Sequence, residues 1–206
     1  MWEITDRGFL GTQDPLYDLD VSLPETMPLV ARLENIPAVL PAWIDGRRVR
    51  EELVSNLRDV SELFTDSFFA ALSERQSERL MHLLSYAASE YVYARQETPA
   101  THIPSEIAVP LVRVASILNR KPILSYASYC LTNWERIDQS SPIGLGNIRL
   151  LTNFCSPEFG QRDENWFILV HVEIEQAAAR GIAACQDLTN PEQAMASIFS
   201  SLTWMN

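Results

Sequence analysis

Apolar residues recur along most of this chain at steps of three and four, the spacing that gathers side chains onto one face of an α-helix. The longest such pattern is RDENWFILVHVEIEQAAARGIAAC, from Arg162 to Cys185. In it Trp166, Val170, Ile174, Ala177, Ala178 and Ile182 form one stripe that reads as core. Beside that stripe, Phe167, His171, Glu175 and Ala178 put an imidazole and a carboxylate one turn apart next to an aromatic ring. Such an edge suits the lining of a pocket.

The same periodicity lays out the rest of the chain. Residues 1 to 45 carry Pro15, Pro24, Pro28, Pro37 and Pro41, too many for long helices, and read as an irregular segment with short turns around Leu29 to Leu33. It is expected to dock through Trp2, Phe9, Leu10, Leu16, Tyr17 and Trp43. Val49, Leu53, Leu57, Val60, Leu63 and Phe64 predict a helix over Arg48 to Phe69. Ser73 with Gln76 opens the next, which runs to about Arg95, and Gln96 to Pro104 is a linker. A helix from Ser105, made irregular by Pro110, closes at Asn119 to Pro122. Another is expected from Ile123 to about Arg136, followed by the turn-rich SSPIGLGN and a short apolar stretch from Ile148 to Phe154. Thr189 or Asn190 caps a last helix with Pro191 at its first position. Its large apolar residues, Met195, Ile198, Phe199, Leu202 and Trp204, either fold back on the preceding helices or await a second half that covers them. The predicted fold class is all-α.

Composition narrows the setting. The chain has 206 residues, 47% of them hydrophobic, enough for a substantial core. No run of about 18 apolar residues marks a membrane span, and MWEITDRGFL has no signal-like apolar segment. Cys130, Cys155 and Cys185 are widely spaced and form neither a disulfide framework nor a paired metal motif, which fits a reducing cytoplasm. A net charge of -11 with no basic cluster argues against nucleic acid as a partner.

Two constellations carry candidate chemistry. Tyr126, Tyr129, Cys130 and Asn133 fall on one face if the segment from Ile123 is α-helical. That face is either a core seam or the wall of a site. His171 and Glu175 have the spacing of a helical metal-ligand pair, yet two ligands do not make a metal site, and a buried histidine bonded to Glu175 accounts for the pair as well. His82 and His102 read as structural or exposed.

The run PSEIAVPLVRVASILNRKPILSYASYCLTNWERID, followed by NWFILVHVEIEQAAA, resembles the indoleamine 2,3-dioxygenase family. GFL at Gly8 to Leu10, DPL at Asp14 to Leu16 and ERLMHLLSYAASEYVYA at Glu78 to Ala94 add to the likeness, in the family's order. The resemblance implies an all-helical fold: a small N-terminal domain over residues 1 to 154, then, over 155 to 206, the first helices of a larger haem-binding domain. It also implies haem b as cofactor and the insertion of both atoms of O2 across the C2=C3 bond of an indole, typically tryptophan, giving an N-formylkynurenine-type product. Carried over by position, Tyr126, Tyr129 and Cys130 would border the indole pocket and Phe167 would pack on the ring. His171 would stand over the distal face of the haem, where familiar mammalian members have serine. The proximal haem ligand would come from outside this chain. A C-terminal half chain or a second copy is then an expected partner, with an indole and O2 as small-molecule partners and neither membrane nor nucleic acid. The competing expectation is a haem-free, non-catalytic helical interaction module, or half of a split enzyme.

Overall fold

The first helix forms through the prolines that argue against it. In the computed structural model, which describes residues 5–94, 98–186 and 189–205, α1 spans Met27–Asp45 with Pro37 and Pro41 inside it. Leu29, Leu33, Ile36, Leu40 and Ile44 make an unbroken buried stripe along it. Each buried aliphatic contributes about 1.5–3 kcal/mol, so the stripe outweighs a cost of about 3 kcal/mol for each interior proline. The expectation of an irregular segment therefore fails from Met27 onward. Trp2 and Arg95 lie outside the described residues, as does Gln96 at the start of the linker.

The predicted helix from Arg48 to Phe69 is broken in two, α2 (Val49–Arg58) and α3 (Asp66–Ala71), with a tight turn at Ser61–Leu63 between them. Thr65 accepts the Phe68 N–H and so starts α3 afresh. A reciprocal capping box between Ser73 and Gln76 begins α4, Glu74–Tyr93. Helix α5, Ser105–Ile117, absorbs Pro110 and ends with Asn119 at φ 51. There Arg120 N–H reaches the Ala115 carbonyl and Asn119 N–H that of Ser116, a Schellman closure. Helices α1, α2, α4 and α5 bury one core that includes Leu33, Leu53, Leu84 and Leu111. Arg79 on α4 grips Glu34 on α1 through two bonds of 3.0 and 2.5 Å.

After α5 the chain departs from the expected helix. Residues Ala127–Leu131 form a single π-helical turn, closed by Thr132 N–H to the Ala127 carbonyl at 2.9 Å. Trp134–Arg136 (β1) then pairs antiparallel with Ile148–Leu150 (β2), with Glu135 opposite Arg149. Trp134 is buried, and its indole donates to the Leu131 carbonyl at 2.9 Å, which anchors the strand where a helix had been predicted.

Helix α6, Gln161–Gln186, and helix α7, Pro191–Met205, form an antiparallel-type hairpin in which Asn190 caps α7 by accepting the Gln193 N–H. Their close approach is at Gly181, where an added Cβ would lie 3.2 Å from Ser201 Cβ and Oγ. Contrary to expectation, the Trp166, Val170, Ile174 stripe does not face the core, and Trp166 is 62% exposed. The buried side is Ile168, Leu169, Val172 and Ala179. Leu169 and Val172 join Leu10, Leu131, Trp134 and Ile148 in a second core. Because α6 is apolar on both sides, periodicity alone does not choose between them. Helix α7 does fold back on α6, but by Ala194 and Ser201, leaving Met195, Phe199, Leu202 and Trp204 exposed.

Candidate functional site

The N-terminal segment, the π-turn and α6 meet at one place. Gly8 makes this possible: its φ is +68, and a Cβ there would lie 2.8 Å from the Glu175 carbonyl oxygen of α6. Leu10 is buried beside it, and Arg7 and Arg136 each hold Asp14 at 2.6 Å, tying the segment to β1. Between these elements lies a cavity of about 290 Å³ lined by Phe9, Tyr126, Ala127, Leu131 and Glu175.

Next to it stands an aromatic cluster. The Phe167 and His171 rings are 4.7 Å apart between centroids, and Tyr126 meets His171 edge-on at 5.9 Å and 72°. The Tyr126 hydroxyl donates to Glu175 Oε1 at 3.1 Å. Burial first, and the Glu175 carboxylate second, push the phenol's pKa well up, so it remains a donor. His171 Nδ1 lies 2.5 Å from the Phe167 carbonyl oxygen. A carbonyl only accepts, so Nδ1 carries the proton, and in the neutral ring Nε2 is left as a free acceptor.

Of the residues singled out from the sequence, Tyr126, Phe167 and His171 come together, with Glu175. Tyr129 does not join them: the π-turn sends its ring onto Phe154 and toward Tyr86, each with centroids 6.0 Å away. Burial, then the Glu164 carboxylate, raise its pKa to about 12. Cys130 is buried beneath the turn, and its thiol is pushed up to about 11 by burial and by Glu175, so it stays protonated. Phe167 and Tyr126 are 54% and 47% exposed, so the cluster opens outward. Tyr126 links His171 and Glu175, meeting the ring of one and donating to the carboxylate of the other. Among the described residues no group of three or more His, Cys, Asp or Glu is placed to hold a metal ion, and no helix is long and apolar enough to cross a membrane.

Residues 1–205 match a family model described as Indoleamine 2,3-dioxygenase. The chain belongs to the indoleamine 2,3-dioxygenase family. It is 31% identical to indoleamine 2,3-dioxygenase 1 of Mus musculus over 203 residues, covering 92% of this chain and 48% of that protein. It is also 31% identical to indoleamine 2,3-dioxygenase 2 of Homo sapiens over 153 residues, 73% of this chain and 35% of the relative. Likeness extends to fungi, with 28% identity to indoleamine 2,3-dioxygenase nanC of Aspergillus nanangensis over 84% of this chain and 39% of that one. The chain thus spans less than half the length of these relatives.

Three residues that hold this family member's site together were not among the site residues singled out from the sequence. Glu164 accepts from the Phe154 and Cys155 N–H groups at 2.9 and 2.8 Å and from Asn153 Nδ2 at 3.2 Å, fixing the loop that carries Phe154. Its signal was an acid in the first turn of α6, which also suits the helix dipole. Asp14 was legible only as part of DPL, because its two arginines are remote or loop-borne. His82 is the third, 1% exposed and bonded through both ring nitrogens.

Proposed function

We propose that this chain supplies the distal wall of a haem-dependent indole dioxygenase, in which both atoms of O2 are inserted across the C2=C3 bond of tryptophan or a related indole. The observation that carries the reading is His171 Nδ1 bonded to the Phe167 carbonyl, which leaves Nε2 as the acceptor of a ring that touches two aromatic side chains. An indole N–H donates to that nitrogen while Phe167 packs on the ring, and Tyr126, braced by Glu175, limits its sideways freedom. Tyr129 and Cys130 belong to the π-turn that follows Tyr126, with Tyr129 facing Phe154 and Tyr86. Cleavage of the C2=C3 bond gives a product with an N-formyl group and an aryl ketone, and no atom is lost.

The residues present fit one face of a planar macrocycle: Phe167, 54% exposed, packs its ring against the His171 imidazole with centroids 4.7 Å apart, so an apolar surface and an imidazole are offered side by side. When bound, haem b supplies the ferrous iron chemistry that activates O2. A C-terminal half, in a longer chain or a separate one, would supply the remaining residues that hold the haem, with residues 1 to 154 as the small domain and 155 to 206 as the start of the haem domain. The wide spacing of Cys130, Cys155 and Cys185 along the chain accords with a cytoplasmic setting.

The test is an ultraviolet-visible spectrum of the haem-loaded protein, reduced and exposed to carbon monoxide, with indole titrated in. A carbon-monoxide-sensitive Soret band perturbed by indole is expected. His171→Ala should keep the band and weaken the indole effect on the order of tenfold, the worth of about one hydrogen bond. Loss of axial ligation in His171→Ala would contradict the assigned role. No Soret band and no indole binding in any form of the protein would favour the helical interaction module.

A further inference from the structure

We propose that His82 is a positioning residue for the candidate site, setting the π-turn from which Tyr126 and Tyr129 are presented; the inference rests on the reading of that site given above. Glu78, His82 and Tyr86 lie at successive four-residue steps on α4, one face of the helix, and each grips the turn. Glu78 holds Arg120 at 2.5 Å, and Arg120 donates to Ser125 Oγ at 2.8 Å and Ser128 Oγ at 2.9 Å. Tyr86 packs its ring toward Tyr129 and accepts from Asn133 Nδ2 at 2.6 Å. Between them, His82 Nδ1 bonds the Ser128 carbonyl at 3.0 Å, and Nε2 meets Thr152 Oγ1 at 2.8 Å.

The Ser128 carbonyl is the point of control. The two backbone N–H groups that an α- or π-ladder would bring to it, those of Thr132 and Asn133, go instead to the Ala127 and Cys130 carbonyls. The imidazole takes the place of the missing backbone donor. Because the Ser128 carbonyl only accepts, Nδ1 carries the proton and Thr152 donates to Nε2, so both nitrogens are satisfied in the neutral ring. Thr152 is in turn locked to Asn133, its N–H to Oδ1 at 2.8 Å and its carbonyl to Nδ2 at 2.9 Å. Buried, fully bonded groups of this kind specify one arrangement where apolar packing would tolerate several. Here the arrangement specified is the wide turn that points Tyr126 at His171 and Tyr129 at Phe154.

The test compares His82→Leu with His82→Asn in the chain, with tyrosine and histidine rings labelled for NMR. In wild type the edge-on contact should give a Tyr126–His171 ring NOE. His82→Leu should lose it and move the ring signals of Tyr126 and Tyr129. His82→Asn, whose Nδ2 restores a donor to the Ser128 carbonyl, should keep it. A folded His82→Leu with the NOE intact overturns the proposal, as does equal loss in both variants. If His82→Leu does not fold, Thr152→Val decides: displaced Tyr126 and Tyr129 signals support the role, and unmoved signals overturn it. Indole binding is measured separately, with an affinity drop of about tenfold expected for His82→Leu and none for His82→Asn. Failure of wild type to bind indole would sink the reading of the site without touching the NOE comparison.

Discussion

Acidification should unfold this chain earlier than its carboxylates alone require, and His82 is the reason. Burial, and then the charge of Arg79, lower its pKa from 6.5 to about 3, against a smaller opposing effect of the Ser128 carbonyl. A histidine with a depressed folded value lends stability that is full above its unfolded value and is lost as pH falls toward the folded one. Between pH 6.5 and about 3 the unfolded chain therefore binds one more proton at this site, and stability falls by about 1.4 kcal/mol per pH unit. Acidifying from about pH 7 to about pH 5 should remove about 2 kcal/mol through His82 alone. Urea denaturation at several pH values, on wild type and His82→Asn, isolates that part. The variant should be less stable at neutral pH, yet should lose about 2 kcal/mol less on acidification. Equal losses in the two proteins would refute the reasoning. NMR of the His82 ring gives a second check, since it should remain neutral at pH 5.

Three further outcomes follow from single contacts. Gly8→Ala combines a positive φ with a Cβ 2.8 Å from a helix carbonyl, so it should destabilise by about 2–4 kcal/mol in urea melts; unchanged stability would contradict the packing of this segment on α6. Asp14 has its pKa lowered because Arg136 and Arg7 outweigh the burial that would raise it. Its contribution is therefore present above the ordinary carboxylate value of 3.8 and lost as pH drops below it. Asp14→Asn should cost about 2 kcal/mol at neutral pH, and equal stability there would contradict the twin ion pair. Tyr126→Phe removes only the bond to Glu175, so it should cost under about 1 kcal/mol while loosening the ring, seen as a weaker ring NOE to His171; a loss several times larger would mean the hydroxyl has a partner besides Glu175.

Much of the architecture was legible from local chemistry. The Ser73–Gln76 capping box, the Asn119 closure and the Asn190 cap each act within a few residues, so sequence spacing reveals them. Proline was over-read in α1, because the rule weighs the lost hydrogen bond and not the five-residue aliphatic stripe set against it. The tyrosine face was misjudged for a different reason. Tyr126 and Tyr129 share a face only in an α-helix, and the turn is widened by His82, Arg120 and Asn133, contacts that join residues 42 to 47 positions apart and, through Asn133 and Thr152, 19 apart. On α6 the edge carrying Phe167 and His171 was found, but the side that packs was not, since Leu10, Trp134 and Ile148 decide it from elsewhere in the chain.

The most direct test of the central claim is the nitrogen resonance of His171 Nε2 in the labelled chain during titration with indole and, in parallel, with 1-methylindole, which has no N–H to give. The account predicts a shift of that signal with indole and little with the methylated compound. Equal shifts with both, or none with either, would contradict the assignment of His171 as the acceptor that orients the ring.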